Sequence, residues 1–153
     1  WYYQQLELGL NYRMTDIQAA LGLSQLKRLD EFVTRRHEIA KLYEKLITNK
    51  NILKPTQSSN CYSSYHLYVI KLDLSNNNSH RRVYNDLRES GVLVNLHYIP
   101  VYRQPFYEQM GFQKGYCPES EAYHQEALSI PMYPTLTDIE QQMVIKTLKK
   151  VIV

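Results

Sequence analysis

An asparagine, a tyrosine and an arginine, Asn11-Tyr12-Arg13, stand immediately before a clearly written helix start. Thr15 at the cap position can accept from the backbone N–H of residue 18 while Gln18 reaches back, which is the capping-box arrangement. Asn11 and Arg13 are thereby held on a short stiff loop at a helix N-terminus, where unpaired N–H groups and the dipole favour an anion. On spacing alone two readings stay open: a pair that grips an anion, or an asparagine that shapes a turn beside a solvated arginine. A second group of candidates gathers at His97-Tyr98, after a strand pattern and before Pro100. Imidazole and phenol groups can hydrogen-bond a polar ligand. Tyr102, Arg103 and Tyr107 follow in one irregular stretch; they can stack on an aromatic ring, meet an anion, or merely close the loop over the core. His97 reads equally well as a structural histidine satisfied by backbone. His66, at the start of a strand pattern, is expected to be structural.

These residues need elements to hold them. From Asp16 to about Ile47 there is no proline, and Ile17, Leu21, Leu29, Val33, Ala40, Tyr43 and Ile47 recur at helical spacing, which predicts one helix of roughly 48 Å. That is longer than a small domain needs for its own core, so it reads as a spine between domains. Gly22 within it predicts close approach of another backbone. Residues 51–60 read as a loop, Tyr65–Leu72 and Val92–Tyr98 as strands, and Arg81–Ser90 as a helix stopped by Gly91. Pro118 suits the first turn of a helix running to about Leu128, followed by a short edge segment, Ser129–Met132. Thr137 with Glu140 makes a second capping box, opening a last helix with Ile139, Met143, Val144 and Leu148 on its apolar face. Helices and short strands alternate, which predicts an α/β or α+β domain with a small sheet.

The 153 residues suffice for one domain with an arm. A formal charge of +3, its lysines and arginines scattered among acids, gives no reason to expect a nucleic-acid or membrane partner. The 14 tyrosines, against one tryptophan and three phenylalanines, suit polar pockets and subunit interfaces. Cys61 and Cys117 have neither metal nor disulfide spacing, which fits a reducing cytoplasm. Because the chain opens on Trp1 rather than Met, it is expected to be a piece of a longer protein.

The stretch from Glu7 to the Leu29 region resembles the nucleotide-sugar aminotransferases of the DegT/StrS kind. The likeness continues through Arg35-Arg36 and Tyr43, then Tyr65-His66-Leu67-Tyr68, then Leu96 to Tyr102, and ends at Leu128-Ser129-Ile130-Pro131-Met132-Tyr133-Pro134. These blocks stand in the family's order and cover nearly the whole chain. Trp1 to Gln5 and the His97-Tyr98 loop are most like members that aminate UDP-linked sugars.

The resemblance implies a pyridoxal 5'-phosphate enzyme of the aspartate-aminotransferase fold, fold type I. Residues 1–15 would end the large domain and carry the cofactor-contact loop, 16–49 would be the linking spine, and 50–153 the small C-terminal α/β domain. The Schiff-base lysine would belong to an N-terminal domain absent here, leaving this chain alone inactive. Lys27, Lys41 and Lys45, among arginines and glutamates on helical faces, read as surface charges rather than desolvated amines. Family members are homodimers with shared active sites. Asn11 would reach the cofactor phosphate in the partner subunit, with Arg13 beside it. His97 and Tyr98 would border the sugar-nucleotide site, with Tyr102, Arg103 and Tyr107 as further candidates. The implied reaction moves an amino group from glutamate to a UDP-linked 4-keto-6-deoxy sugar for surface polysaccharide or glycan synthesis. Two other readings stay open: a sugar dehydratase of the same family, and a non-catalytic carbohydrate- or protein-binding module.

Overall fold

The computed structural model describes residues 4, 9–10, 12–74 and 79–152. The chain forms two units, Trp1–Glu31 and Phe32–Val153.

In the first unit, α1 (Asp16–Leu26) opens on the expected capping box, with Thr15 Oγ1 accepting from the Gln18 N–H at 3.3 Å and Gln18 Oε1 accepting from the Thr15 N–H at 2.9 Å. The predicted single helix is in fact two, with Lys27 and Arg28 in a turn between α1 and α2 (Leu29–Leu46). The Arg28 N–H bonds the Gln25 carbonyl at 3.0 Å, a tightened closure that ends α1. Asp30 and Glu31 then occupy the first turn of α2, where negative charge suits a helix N-terminus, and Arg28 pairs with Glu31 at 3.2 Å. No residue of α1 is buried, and Ile17, Leu21, Leu23 and Leu26 are all exposed. Nothing described lies within 4 Å of a Cβ built on Gly22, so in this chain that position faces open space.

In the second unit, four antiparallel strands lie in the order β1 (Ile52–Leu53), β2 (Tyr68–Leu72), β4 (Ala127–Ile130), β3 (Asn95–Leu96). Along β2, Tyr68, Ile70 and Leu72 are buried while Val69 and Lys71 are half-buried, the period-2 alternation of a strand with one face on the core. That core adds Ile39 and Tyr43 from α2, Val83 and Leu87 from α3 (His80–Glu89), and Val144, Ile145 and Leu148 from α6 (Asp138–Val151). The other face of β2 meets α5 (Pro118–Glu126), where Lys71 pairs with Glu126 at 3.0 Å. A short α4 (Pro105–Glu108) lies between β3 and α5.

Polar side chains of α2 hold the chain on both sides of the sheet's end. Arg36 Nη1 donates to the carbonyls of Tyr65, His66 and Met132 at 2.9, 3.0 and 3.0 Å. Arg35 Nη2 donates to the Leu136 carbonyl at 2.8 Å and to Asp138 Oδ1 at 2.9 Å, and the Tyr43 hydroxyl to the Pro131 carbonyl at 2.8 Å. Tyr65 has φ +45°, a left-handed conformation costing about 1 kcal/mol or more for a bulky residue. Extended backbone therefore begins at Tyr68 rather than Tyr65. His66 thus does not begin a strand; it is exposed in a bend, where its backbone carbonyl accepts from Arg36.

The sequence reading needs further corrections: Ile52 and Leu53, inside the expected loop, pair as β1, and the expected strand Val92–Tyr98 shortens to Asn95–Leu96. The helix from Pro118 stops at Glu126, and Ala127 turns extended with ψ 133°. Residues 127–130 are an interior strand, all four buried, not a helix end followed by an edge. A short run apolar on both faces has no period to separate strand from helix. In α6 the capping box of Thr137 and Glu140 forms as expected, but the buried stripe is Gln141, Val144, Ile145, Leu148 and Val151, while Ile139 is 83% exposed. Gln141 Nε2 donates to the Ile39 carbonyl at 2.8 Å, so a polar residue occupies a core position that hydropathy assigns to solvent. Among the described residues no helix is long and apolar enough to cross a membrane.

These assignments predict that Leu128→Ala costs about 2–5 kcal/mol in urea denaturation. Ile139→Ala should stay within about 0.5 kcal/mol of the parent. Equal losses at the two positions would contradict the placement of β4 and α6.

Candidate functional site

The segment after α3 leads to the second candidate group. Gly91, at φ +82°, supplies the left-handed residue that ends α3, and Val92 and Val94 then anchor the chain in the core. Asn95 pairs with Ser129 of β4. Two residues on, His97 lies on the same face, and its Nε2 sits 2.7 Å from Ser129 Oγ. The His97 carbonyl accepts from His124 Nδ1–H of α5 at 2.8 Å, and the His97 ring meets Tyr123 edge-on at 5.5 Å. Burial pushes the His97 pKa below its ordinary 6.5, which keeps the imidazole neutral at pH 7. One ring nitrogen and the carbonyl of His97 are therefore committed within the fold.

Glu121 is the hub of the following loop. Its Oε1 accepts from the Tyr102 hydroxyl at 2.5 Å and from the Gly115 N–H at 2.7 Å, with Arg103 Nη1 at 3.7 Å. The Tyr102 oxygen in turn accepts from the Cys117 N–H at 3.2 Å. The Tyr102 hydrogen bond first, and the Gly115 N–H second, hold the Glu121 carboxyl below the usual carboxylate range. Arg103 Nε donates to Glu108 Oε1 at 2.7 Å. Around this hub lies a cleft of about 360 Å³ whose lining includes Pro100, Arg103, Lys114, Glu121 and His124. With Nδ1–H of His124 held by His97, Nε2 is the nitrogen left for another partner. Arg103 and Lys114 give the cleft donors suited to phosphate oxygens, beside His124 Nε2 and two carboxylates able to accept from hydroxyls.

Of the residues expected from sequence, Tyr102 and Arg103 are brought together at Glu121, and His97 joins them through His124. Tyr98 stands apart on the surface, 91% exposed, and Tyr107 packs edge-on against Phe106 at 5.3 Å. Asn11 lies outside the described residues. Arg13, in the first unit, is exposed and makes no hydrogen bond or ion pair among the described residues. Sequence reasoning missed Glu121 and His124; their i, i+3 spacing on one helix face was the signal available. Lys27, Lys41 and Lys45 are exposed, while Lys54 pairs with Glu44 and Lys71 with Glu126.

Comparison with known proteins gives this geometry a family. The profile of the DegT/DnrJ/EryC1/StrS aminotransferase family matches residues 1–149. The spore coat polysaccharide biosynthesis protein SpsC of Bacillus subtilis is 33% identical over 99% of this chain and 40% of its own length. A UDP-4-amino-4,6-dideoxy-N-acetyl-beta-L-altrosamine transaminase of Campylobacter jejuni is 33% identical over 97% of this chain and 39% of its own. A putative sugar aminotransferase from Streptococcus pneumoniae, solved in its PLP form, superposes with a TM-score of 0.85 at 28% identity over 99% of this chain and 39% of that one. The fold is thus that of a part of the sugar aminotransferases. The chain belongs to the DegT/DnrJ/EryC1/StrS aminotransferase family and spans about 40% of the length of the relatives it matches. The family and the PLP-form structure imply pyridoxal phosphate as cofactor. The guanidinium of Arg13, without a partner among the described residues, has the chemistry to fit that group's phosphate.

A carboxyl whose pKa is depressed by folding contributes stability above its unfolded value, lost as pH falls through the folded one. The melting temperature should therefore drop more steeply below pH 4.5 in the parent than in Glu121→Gln, and the variant should melt lower at pH 7. Parallel curves in thermal denaturation would show that Glu121 does not organise the loop.

Proposed function

We propose that this chain is the C-terminal part of a pyridoxal-phosphate aminotransferase that moves an amino group from glutamate to a UDP-linked 4-keto-6-deoxy sugar. The observation that carries the reading is the continuous family match over residues 1–149, joined to relatives whose printed names are transaminases of UDP-amino-dideoxy sugars. When bound, pyridoxal phosphate supplies the electron sink that such a transfer requires. In this reading Asn11 and Arg13 hold the cofactor phosphate of the partner subunit in a homodimer, Asn11 as a neutral amide donor and Arg13 as a fork. Their place beside the capped start of α1 supports that role.

The loop from His97 to Tyr107 orients the nucleotide sugar. The cleft by Arg103 and Lys114 offers donors to the diphosphate, and Tyr98 offers an exposed ring and hydroxyl. Neutral His97 keeps Ser129 and the β3 end fixed. The lysine that would hold the cofactor and move the proton belongs to the portion of the relatives that this chain does not match. Exposure or ion pairing of Lys27, Lys41, Lys45, Lys54 and Lys71 supports that division. The exposed apolar residues of α1 support a contact with another subunit or domain. A cytoplasmic enzyme working early in surface-polysaccharide synthesis completes the reading.

The test is the full-length protein with pyridoxal phosphate, glutamate and the UDP-linked 4-keto-6-deoxy sugar. We expect stoichiometric 2-oxoglutarate and a 4-amino sugar nucleotide. Loss of a sugar hydroxyl with the glutamate nitrogen released as ammonia, and no amino sugar formed, would assign a dehydratase instead, and no turnover would overturn the enzymatic reading.

A further inference from the structure

A second cleft, of about 300 Å³, lies between α2 and the segment leading into β2, away from Glu121 and His124. His37, Lys41, Glu44, Lys45, Tyr65 and Tyr68 line it. Three observations single it out. Tyr68 is 2% exposed, yet among the described residues its hydroxyl has no hydrogen-bond partner, an uncommon state for a buried phenol. Lys41 and Lys45, one helical turn apart on the rim, are exposed and make no ion pair or hydrogen bond among the described residues. Tyr65 is held at φ +45° by Arg36, with its ring edge-on to His37 at 4.9 Å and stacked with Tyr68 at 6.5 Å. Strained residues of this kind collect at ligand clamps.

The charges decide what fits. Glu44 is neutralised by Lys54 at 2.9 Å, and His37 Nε2–H is spent on the Ser63 carbonyl at 2.8 Å. Two ammonium groups and one phenolic O–H remain as donors. Burial, with the nearby Glu44 charge as a lesser cause, pushes the Tyr68 phenol well above its usual range, so it stays a donor. We propose that this cleft binds a small anion consisting of a phosphate group on an aromatic body. Lys41 and Lys45 would meet the phosphate, the Tyr68 hydroxyl would donate to it, and the ring would lie against Tyr65. The site is independent of the catalytic reading, since none of its residues belongs to the cofactor or sugar-nucleotide groups.

Calorimetric titration of the full-length protein, with its pyridoxal phosphate already bound so that the cofactor's phosphate site is filled, tests this. The probes are phenyl phosphate and inorganic phosphate. Phenyl phosphate should bind saturably and more tightly than inorganic phosphate. Affinity should fall at least fivefold in Tyr68→Phe and at least tenfold in the Lys41→Ala/Lys45→Ala double variant, with aminotransfer unchanged. Without ligand, Tyr68→Phe should melt at the same temperature or higher, because its hydroxyl has no partner to lose. Absence of saturable binding, or binding equal in parent and variants, would overturn the site. A lower melting temperature for Tyr68→Phe would also overturn it, by showing that the hydroxyl already bonds Glu44 in solution.

Discussion

Backbone carbonyls that leave the sheet without strand partners are the constraint on which this fold turns. After Ile130 the chain runs through Pro131 to Leu136 with no ladder to donate to its carbonyls, and buried carbonyls of that kind must be satisfied elsewhere. One face of α2 satisfies them: Tyr43 at Pro131, Arg36 at Met132 and Arg35 at Leu136. A guanidinium suits this task because its several N–H groups spread in a plane and never lose their charge. Arg36 also takes the carbonyls of Tyr65 and His66, so the same side chain fixes the entry to β2 and the exit from β4.

From that anchor the site follows by contact. With β4 fixed between β2 and β3, Ser129 has one position, and it holds the imidazole of His97. The His97 carbonyl then orients His124, which leaves one nitrogen free at the cleft that Glu121 and Arg103 also line. The stretch between β3 and α5 contains only a single 3₁₀ turn, Val101–Arg103, and the four-residue α4. Its order comes from the carboxylate of Glu121, which collects a phenol, a backbone N–H and, more distantly, a guanidinium. The family match runs through this loop, and the chemistry of its donors agrees with the proposed ligand, rich in phosphate and hydroxyl oxygens.

Features written in local chemistry were legible in the sequence. Both capping boxes depend on residues three apart, and both form. Gly91 ends α3 because only a left-handed residue lets the chain turn there, and the alternation of β2 shows in its side chains. Features set by tertiary contact were not legible. The break at Lys27-Arg28 has no proline or glycine to announce it. The interior strand β4 is apolar on both faces and so carries no period. The buried stripe of α6 includes Gln141, whose place depends on the distant Ile39 carbonyl. In the site, His97 was visible from its position before Pro100, whereas Tyr98, read from the same position, stands apart on the surface. Glu121 and His124 look like ordinary surface residues of an acidic helix until the loop folds onto them. The family likeness, in contrast, was fully visible, because it rests on ordered blocks of residues rather than on any one contact.

The central claim is that this chain supplies the grip on the cofactor's phosphate to a neighbouring active site. The direct measurement is the dissociation constant of pyridoxal 5'-phosphate for the full-length protein and its Asn11→Ala and Arg13→Ala variants. The account predicts that affinity falls about tenfold or more when Asn11 is truncated, as loss of one hydrogen bond to a charged group requires. Unchanged affinity in both variants would contradict it.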